Sequence, residues 1–412
     1  MARINPERLL NDLKRLRGFG ATGPGVVRLA LSPVDMESRR WLGERMTDAG
    51  LDAVIDGVGT VLGRSRQRGP ALLIGSHTDT QPTGGWLDGA MGVIYGLEIA
   101  RALAESDETR HLAVDVASWM DEEGTFAAFL GSRSFVGDPV DESIRRARNR
   151  EGQRLQDALE LAGLAGKPRV RLDRSRHVAY LEPHIEQGGR LEAAGQSIGV
   201  VTTIVGIREL RLRFSGQRNH AGTTPMSIRR DAGAALVAFI SRMDEAFRQL
   251  ADADTVWTVG RIELDPGSFS VVPGQADLFL QFRDANAARL RAMEAKLAEL
   301  VRDVNARGSV SADLTVVDEP EEPVAMDGAL QAHLASAAQA LAPGQWIRMP
   351  SGASHDAQLI ARHIPACMLF VPSIGGVSHD FIEDTAEEHI VLGCEVALAA
   401  AMAILRESAA SR

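Results

Sequence analysis

The sequence predicts an α/β fold into which a smaller α+β domain is inserted. Three observations carry that prediction. Strand and helix signals alternate from about residue 34 to 182, a β-α-β-β-α-β block follows at 207–324, and the alternating pattern then resumes. Alternation of this kind implies helices packed on a mixed, largely parallel sheet, and the order of the middle block is that of a ferredoxin-like unit. A chain of 412 residues also suits two domains better than one. The expected arrangement is one domain made of 1–206 and 325–412, interrupted by a second at 207–324.

Each element follows from local pattern. MARINPERLLNDLKRLRGFG reads as a charged amphipathic helix without the apolar centre and cleavage site of a secretion signal. A helix from Val34 to Ala49 is stopped by Gly50. ALLIGS (71–76) is a short buried strand, followed by a helix from about Gly89 to Ala104. HLAVDVASW (111–119) and VAYLE (178–182) are strand-like, with a helical stretch between them over about 141–164. In the inserted block IRELRLRF alternates apolar and polar residues with the period of a half-buried strand. A helix at about 228–250, strands at 255–264 and 276–284, a helix at 285–305 and a strand at 310–318 complete it. After the acidic DEPEEP (318–323) come helices at 327–341 and 355–363, the strand ACMLFV (366–371) and a last helix at about 386–407.

Composition excludes several functions. With 45 basic and 55 acidic residues the net charge is −10, and aromatics make up 5%. That leaves neither the basic footprint nor the stacking surface of a nucleic-acid binder. No uninterrupted apolar run approaches the ~20 residues of a membrane span, so a cytoplasmic protein with no membrane partner is expected. Cys367 and Cys394 are too few for a disulfide framework or a cysteine-built zinc site and read as inert core thiols.

The chemistry-bearing residues gather where predicted strands end. ALLIGS runs into His77-Thr78-Asp79, WLDG places Asp88 before a helix, and HLAVDVASWM ends in Asp121-Glu122-Glu123. VAYLEP ends in His184, and ACMLFVPSIGGVS leads to His379. Open α/β sheets place their sites at strand C-termini. Imidazole and carboxylate together suit zinc and its neighbours. Three histidines with several carboxylates exceed the three ligands of one open catalytic zinc, so a two-metal site sharing a carboxylate fits better. Asp79, two residues after His77, is placed to accept that ring's other N–H. Taken alone, the acid run 121–123 could be only a solvated turn, the usual fate of such a run, and His77 with Asp79 is equally a hydrogen-bonded strand end. His355 and Asp356 open a predicted helix and read as structural. Ser354-His355-Asp356 lacks the separation of a serine-hydrolase triad.

The strings GSHTDTQPTGGWLDGAMGV, DEEG, EPHIEQGGRLE, NHAGTTPM, SGASHDA and GGVSHD, in that order, resemble the zinc-dependent amidohydrolase family. That family holds N-carbamoyl-L-amino-acid hydrolases, allantoate amidohydrolases and β-ureidopropionases, within the superfamily of aminoacylases and dinuclear-zinc carboxypeptidases. The resemblance runs from roughly residue 30 onward. It implies a zinc-peptidase-like catalytic domain and a lid and dimerisation domain at 207–324. It also implies two divalent metal ions, zinc or manganese first and cobalt or nickel next. His77, Asp88, Glu123, His184 and His379 would be ligands, with Asp88 bridging. Glu122 would be the general base, and His220 would polarise the substrate carbonyl, often from the other subunit of a homodimer; Asp79 counts among the catalytic residues as the group that orients His77. Gln187, Asn219, Ser270, Arg283, Gly352 and Ala353 would contact a small carboxylate-bearing substrate. The implied reaction is hydrolysis of a linear amide or ureido C–N bond, with an N-acyl amino acid or dipeptide as the alternative substrate. A non-catalytic binding relative is the alternative of another class. The chain departs from the pattern in the short GTFAAFLGS stretch after Glu123, at Ser270 and Ser354, and at Trp86-Leu87. Most of these departures are expected to touch the pocket.

Overall fold

The computed structural model describes residues 2–410, which form two compact units divided at Thr202–Thr203 and Val324–Ala325. In the first, a mixed sheet runs in the order Ile198–Ile204, Ala366–Val371, His177–Ile185, Ala71–His77, Ala113–Trp119, Val61–Ser65, Leu51–Ile55. The four strands from Ala366–Val371 to Ala113–Trp119 are parallel. The strands flanking them are antiparallel. The sheet is therefore parallel only at its centre. The reason lies in the residues. ALLIGSH, AVDVASW and ACMLFV are buried at every position, as parallel strands covered on both faces require.

The Leu51–Ile55/Val61–Ser65 hairpin, the Ile198–Ile204 strand and the Trp346–Ser351 strand were not predicted. The expected helix over 141–164 is two short helices, Asp141–Arg146 and Leu155–Leu161. Between them the chain turns at Asn149, whose side chain accepts from Gln153 N–H, with Gly152 at φ 84°. The strand expected at 178–182 extends to Ile185, because Ala366–Val371 pairs with it to its last residue. His184 is thus inside a strand.

The helix Ala90–Ala104 buries nearly every side chain in the core of this unit. The last helix, Glu387–Ala410, is long and apolar enough by length and composition to cross a membrane, although Glu395 and Arg406 interrupt its apolar run. Here Ile390, Cys394, Ala397, Ala401 and Leu405 pack into the same core. Both cysteines are buried free thiols, and burial pushes them above the usual thiol range.

The second unit has the chain order strand, helix, strand, strand, helix, strand. Its antiparallel sheet runs Val256–Asp265, Gln275–Asp284, Gly206–Ser215, Ser311–Val316. Leu210, Leu212 and Phe214 alternate inward and meet Leu236, Phe239 and Met243 of one helix and Leu290, Met293 and Leu297 of the other. The first helix starts at Ala232, later than expected, because Asp231 caps it by accepting from Ala234 N–H. Asn286 caps the second in the same way.

Candidate metal centre

The C-terminal ends of the parallel strands bring together side chains from five distant parts of the chain. His77 closes its own strand, His184 sits one residue before the end of the next, and Asp121-Glu122-Glu123 follow Trp119 by one residue. Asp88 lies at the centre. Its Oδ1 is 3.2 Å from His184 Nε2 and 3.7 Å from His77 Nε2, and its Oδ2 is 3.4 Å from His379 Nε2. Glu122 Oε2 is 3.6 Å from His77 Nε2, and Glu123 Oε2 is 3.8 Å from His379 Nε2. Three sets of donor atoms lie within metal-binding reach of one another: His77–Asp88–His184, His77–Glu122–Glu123 and Asp88–Glu123–His379. Gly89 (φ 64°) has to be glycine here, since a Cβ would lie 2.5 Å from the His77 ring.

The donor set fits a divalent cation on three counts. First, His77 Nδ1 is 2.9 Å from the Asp79 carbonyl and His184 Nδ1 is 2.9 Å from the Ile185 carbonyl. A carbonyl only accepts, so both rings carry a proton on Nδ1 and present Nε2 to the centre. Second, burial pulls the pKa of His77 down, which favours the neutral ring, and its Nε2 faces two carboxylate oxygens. Third, Glu123 Oε1 is buried without a hydrogen-bond partner. Acceptors facing acceptors, with a buried oxygen unsatisfied, is an arrangement that a cation completes.

The acids crowd one another. Burial pushes Glu122 well above the usual carboxylate range, and Glu123, Asp356, Asp88 and Asp79 push it further. Burial, then Asp88, lifts Glu123 to about 8. Burial opposes ionisation of Asp88 too, but the imidazoles of His184 and His379 outweigh it and hold that carboxyl well below its usual range. Gln187, at φ 57°, donates from Nε2 to Asp88 Oδ2 at 3.2 Å.

Asp79 corrects an expectation. Its main-chain carbonyl, not its carboxylate, engages the His77 ring. The carboxylate instead accepts from Glu123 N–H at 3.2 Å and lies 3.5 Å from the Arg39 guanidinium. The strand end that carries His77 is thereby tied to the one that carries the acids. Trp86, one of the departures from the family pattern, is buried, and its indole donates to Asp384. In the short stretch after Glu123, the Asp121 carboxylate accepts from the N–H groups of Phe126 and Ala127.

Four contributors escaped the sequence reading. Arg39, which reads as surface charge on a helix, is fully buried between Asp35 and Asp79. Gln81 donates to Glu123 Oε2 at 2.7 Å. Glu182 is buried and accepts from Ser76 and from Ala357 N–H. Glu383 is buried and accepts from Asp88 N–H. The one legible signal was proximity to a candidate ligand for Gln81, Glu182 and Glu383; for Arg39 there was none. His355 packs edge-on against His184 at 4.6 Å and lies 3.0 Å from the Ser351 hydroxyl. Ala353 is held by that same hydroxyl, with Gly352 exposed between them.

The remaining candidates belong to the second unit. Asn219-His220 pairs with Val271-Val272, and Ser270 accepts from Ala221 N–H, so His220 and Ser270 are neighbours. His220 Nδ1 accepts from the N–H groups of Gly222 and Thr223, which leaves the proton of the neutral ring on an exposed Nε2. Arg283 lies at the other end of the Gln275–Asp284 strand, its Nε donating to Gln281.

The profile of Peptidase family M20/M25/M40 matches residues 73–403. An N-carbamoyl-L-amino-acid amidohydrolase of Paenarthrobacter aurescens is 33% identical, the match covering 97% of this chain and 98% of that protein. An allantoate amidohydrolase of Escherichia coli K12 is 34% identical over 90% of this chain and 91% of its own length. The crystal structure of an amidase of the hydantoinase/carbamoylase family from Burkholderia phymatum covers both chains completely at 72% identity and a TM-score of 0.95. The chain belongs to peptidase family M20/M25/M40, a metal-dependent family, and its relatives there include N-carbamoyl-L-amino-acid and allantoate amidohydrolases.

Proposed function

We propose that this protein hydrolyses a linear C–N bond in a small carboxylate-bearing ureido compound, an N-carbamoyl-L-amino acid or allantoate. The observation that carries the reading is Asp88, whose two oxygens face two different ligand groups, His77 with His184 and Glu123 with His379. The names of the relatives supply the substrate class. His77, Asp88 and His184 would hold one divalent ion, and Asp88, Glu123 and His379 a second, with zinc or manganese first and cobalt or nickel next. Such ions polarise an amide carbonyl and acidify water.

The chain's own groups do the rest. Glu122 takes the proton of the attacking water and returns it to the leaving nitrogen. Burial and the neighbouring acids raise its proton affinity, which strengthens the carboxylate as a base. His220 has its Nδ1 occupied by main-chain donors and so offers Nε2–H to the oxyanion. His220→Ala is expected to lower kcat by about 10²-fold at saturating substrate; an unchanged kcat would make it a packing residue. Arg283 suits a substrate carboxylate through its planar fork; Asn219 and Ser270 beside His220, and separately Gln187, Gly352 and Ala353, are the other residues proposed to contact substrate.

Within the second unit, Arg283 lies about 27 Å from Gln275 along one strand at ~3.4 Å per residue, and His220 pairs with Val271, beyond the Gln275 end. A small substrate touched by both would take them from two copies of the chain, which supports a homodimer with 207–324 as lid and dimerisation domain. Two buried free thiols are in keeping with the cytoplasm as the setting.

The test is ammonia release. Metal-loaded protein is expected to liberate ammonia from N-carbamoyl-L-amino acids or allantoate. Cleavage of N-acyl amino acids or dipeptides with no ammonia from any ureido compound would replace this reading by the acylase one.

A further inference from the structure

Two loops that carry centre residues, 83–88 and 378–384, are laced together by side chains that are not themselves metal-ligand candidates. The Thr83 hydroxyl donates to the His379 carbonyl at 3.1 Å, and the Trp86 indole donates to Asp384 at 3.1 Å. Glu383 does most. One carboxylate oxygen accepts the N–H of Asp88 at 3.1 Å and lies 3.4 Å from that of Leu87, across 295 residues of chain. The other accepts the hydroxyl of Ser378, the residue before His379, at 2.7 Å. Glu383 is 1% exposed. Position 85 has to be glycine to admit it, since a Cβ there would lie 1.9 Å from its carboxylate.

The two ligand groups differ in how they are held. His77 and His184 are carried on neighbouring parallel strands. His379 lies outside any strand or helix, at φ 55°, with its side chain 50% exposed. A half-exposed loop residue in a left-handed conformation stays at its post only if its neighbours fix it.

We propose that Glu383 is a positioning residue: by clamping Asp88 N–H on one side and Ser378 on the other, it sets the affinity of the metal held by Asp88, Glu123 and His379. The inference rests on the metal-centre reading above. Groups that orient ligands from behind change metal affinity by about 10–100-fold when lost. The His77–Asp88–His184 group, built on the sheet, depends on the clamp much less.

Zinc titration of metal-stripped protein against a chromophoric chelator tests this, with Glu123→Gln marking which of two affinities belongs to the His379 group. In Glu383→Ala that affinity is expected to fall by about 10–100-fold, while the other moves by less than about threefold. Ser378→Ala should lower the same affinity by a smaller factor. Glu383→Gln, whose amide oxygen can still accept from Asp88 N–H, should recover most of the loss. Equal losses at both sites, or no loss in Glu383→Ala, overturn the inference. If Glu383→Ala does not fold, Ser378→Ala decides, and an unchanged affinity there overturns it. Wild-type protein that binds none of zinc, manganese, cobalt and nickel overturns the metal-centre reading itself.

Discussion

Glu122→Gln is expected to keep the metal stoichiometry of the wild type and to lose about 10²–10⁴-fold in kcat. The substitution preserves size and removes the group that can shuttle a proton. Glu122 is almost buried, and its side chain adjoins His77 while belonging to neither of the two groups centred on Asp88. The metal ligands should therefore stay in place. Metal analysis on the purified variant separates the two effects: full metal with lost turnover supports the base. Full metal with wild-type kcat would move the proton transfer to another group.

Arg39→Met is expected to lower the stability of the metal-free protein by about 3–5 kcal/mol, the cost of breaking a buried ion pair and leaving its acids uncompensated. Arg39 is fully buried. Its Nε donates to Asp35 at 2.9 Å, and its other nitrogens reach Asp79 and the carbonyls of Gly59, Ser118 and Trp119. Without it, two buried carboxylates and three carbonyls each lose a donor. Denaturant unfolding of the variant, with Arg40→Met as control, reads this out. Arg40 is the exposed next residue of the same helix, and its loss is expected to cost no more than about 0.5 kcal/mol. Equal effects at 39 and 40 would assign the change to helix preference and not to the buried pair.

The two residues also show what a sequence reveals. Glu122 was legible because an acid run directly after an apolar strand is unusual and because it stands inside an ordered series of motifs. Arg39 was invisible because ESRRWLGERM has the charge pattern of any exposed helix face. Nothing in that pattern says that position 39 faces two acids 4 and 40 residues away in the chain. Asp79 falls between the two. Its spacing from His77 marked it, but the same spacing allows either its carboxylate or its carbonyl to meet the ring, and only the turn of the backbone chooses. The missed Leu51–Ile55 and Val61–Ser65 strands are short and read as loop. They exist as strands because they pair with each other and with the edge of the parallel core.

The order of the elements, the buried parallel core and the set of histidines and acids at the strand ends are all written in the linear chain. These follow from apolar periodicity and residue chemistry, which are local and survive without coordinates. Only the tertiary structure decided that Asp88 stands between two ligand groups, that both His77 and His184 present Nε2, and that Arg39, Gln81 and Glu383 hold the centre from behind. These are contacts across up to 295 residues of chain. Their free energy depends on burial and on hydrogen-bond geometry of a few tenths of an ångström, quantities that exist only once the chain has closed on itself.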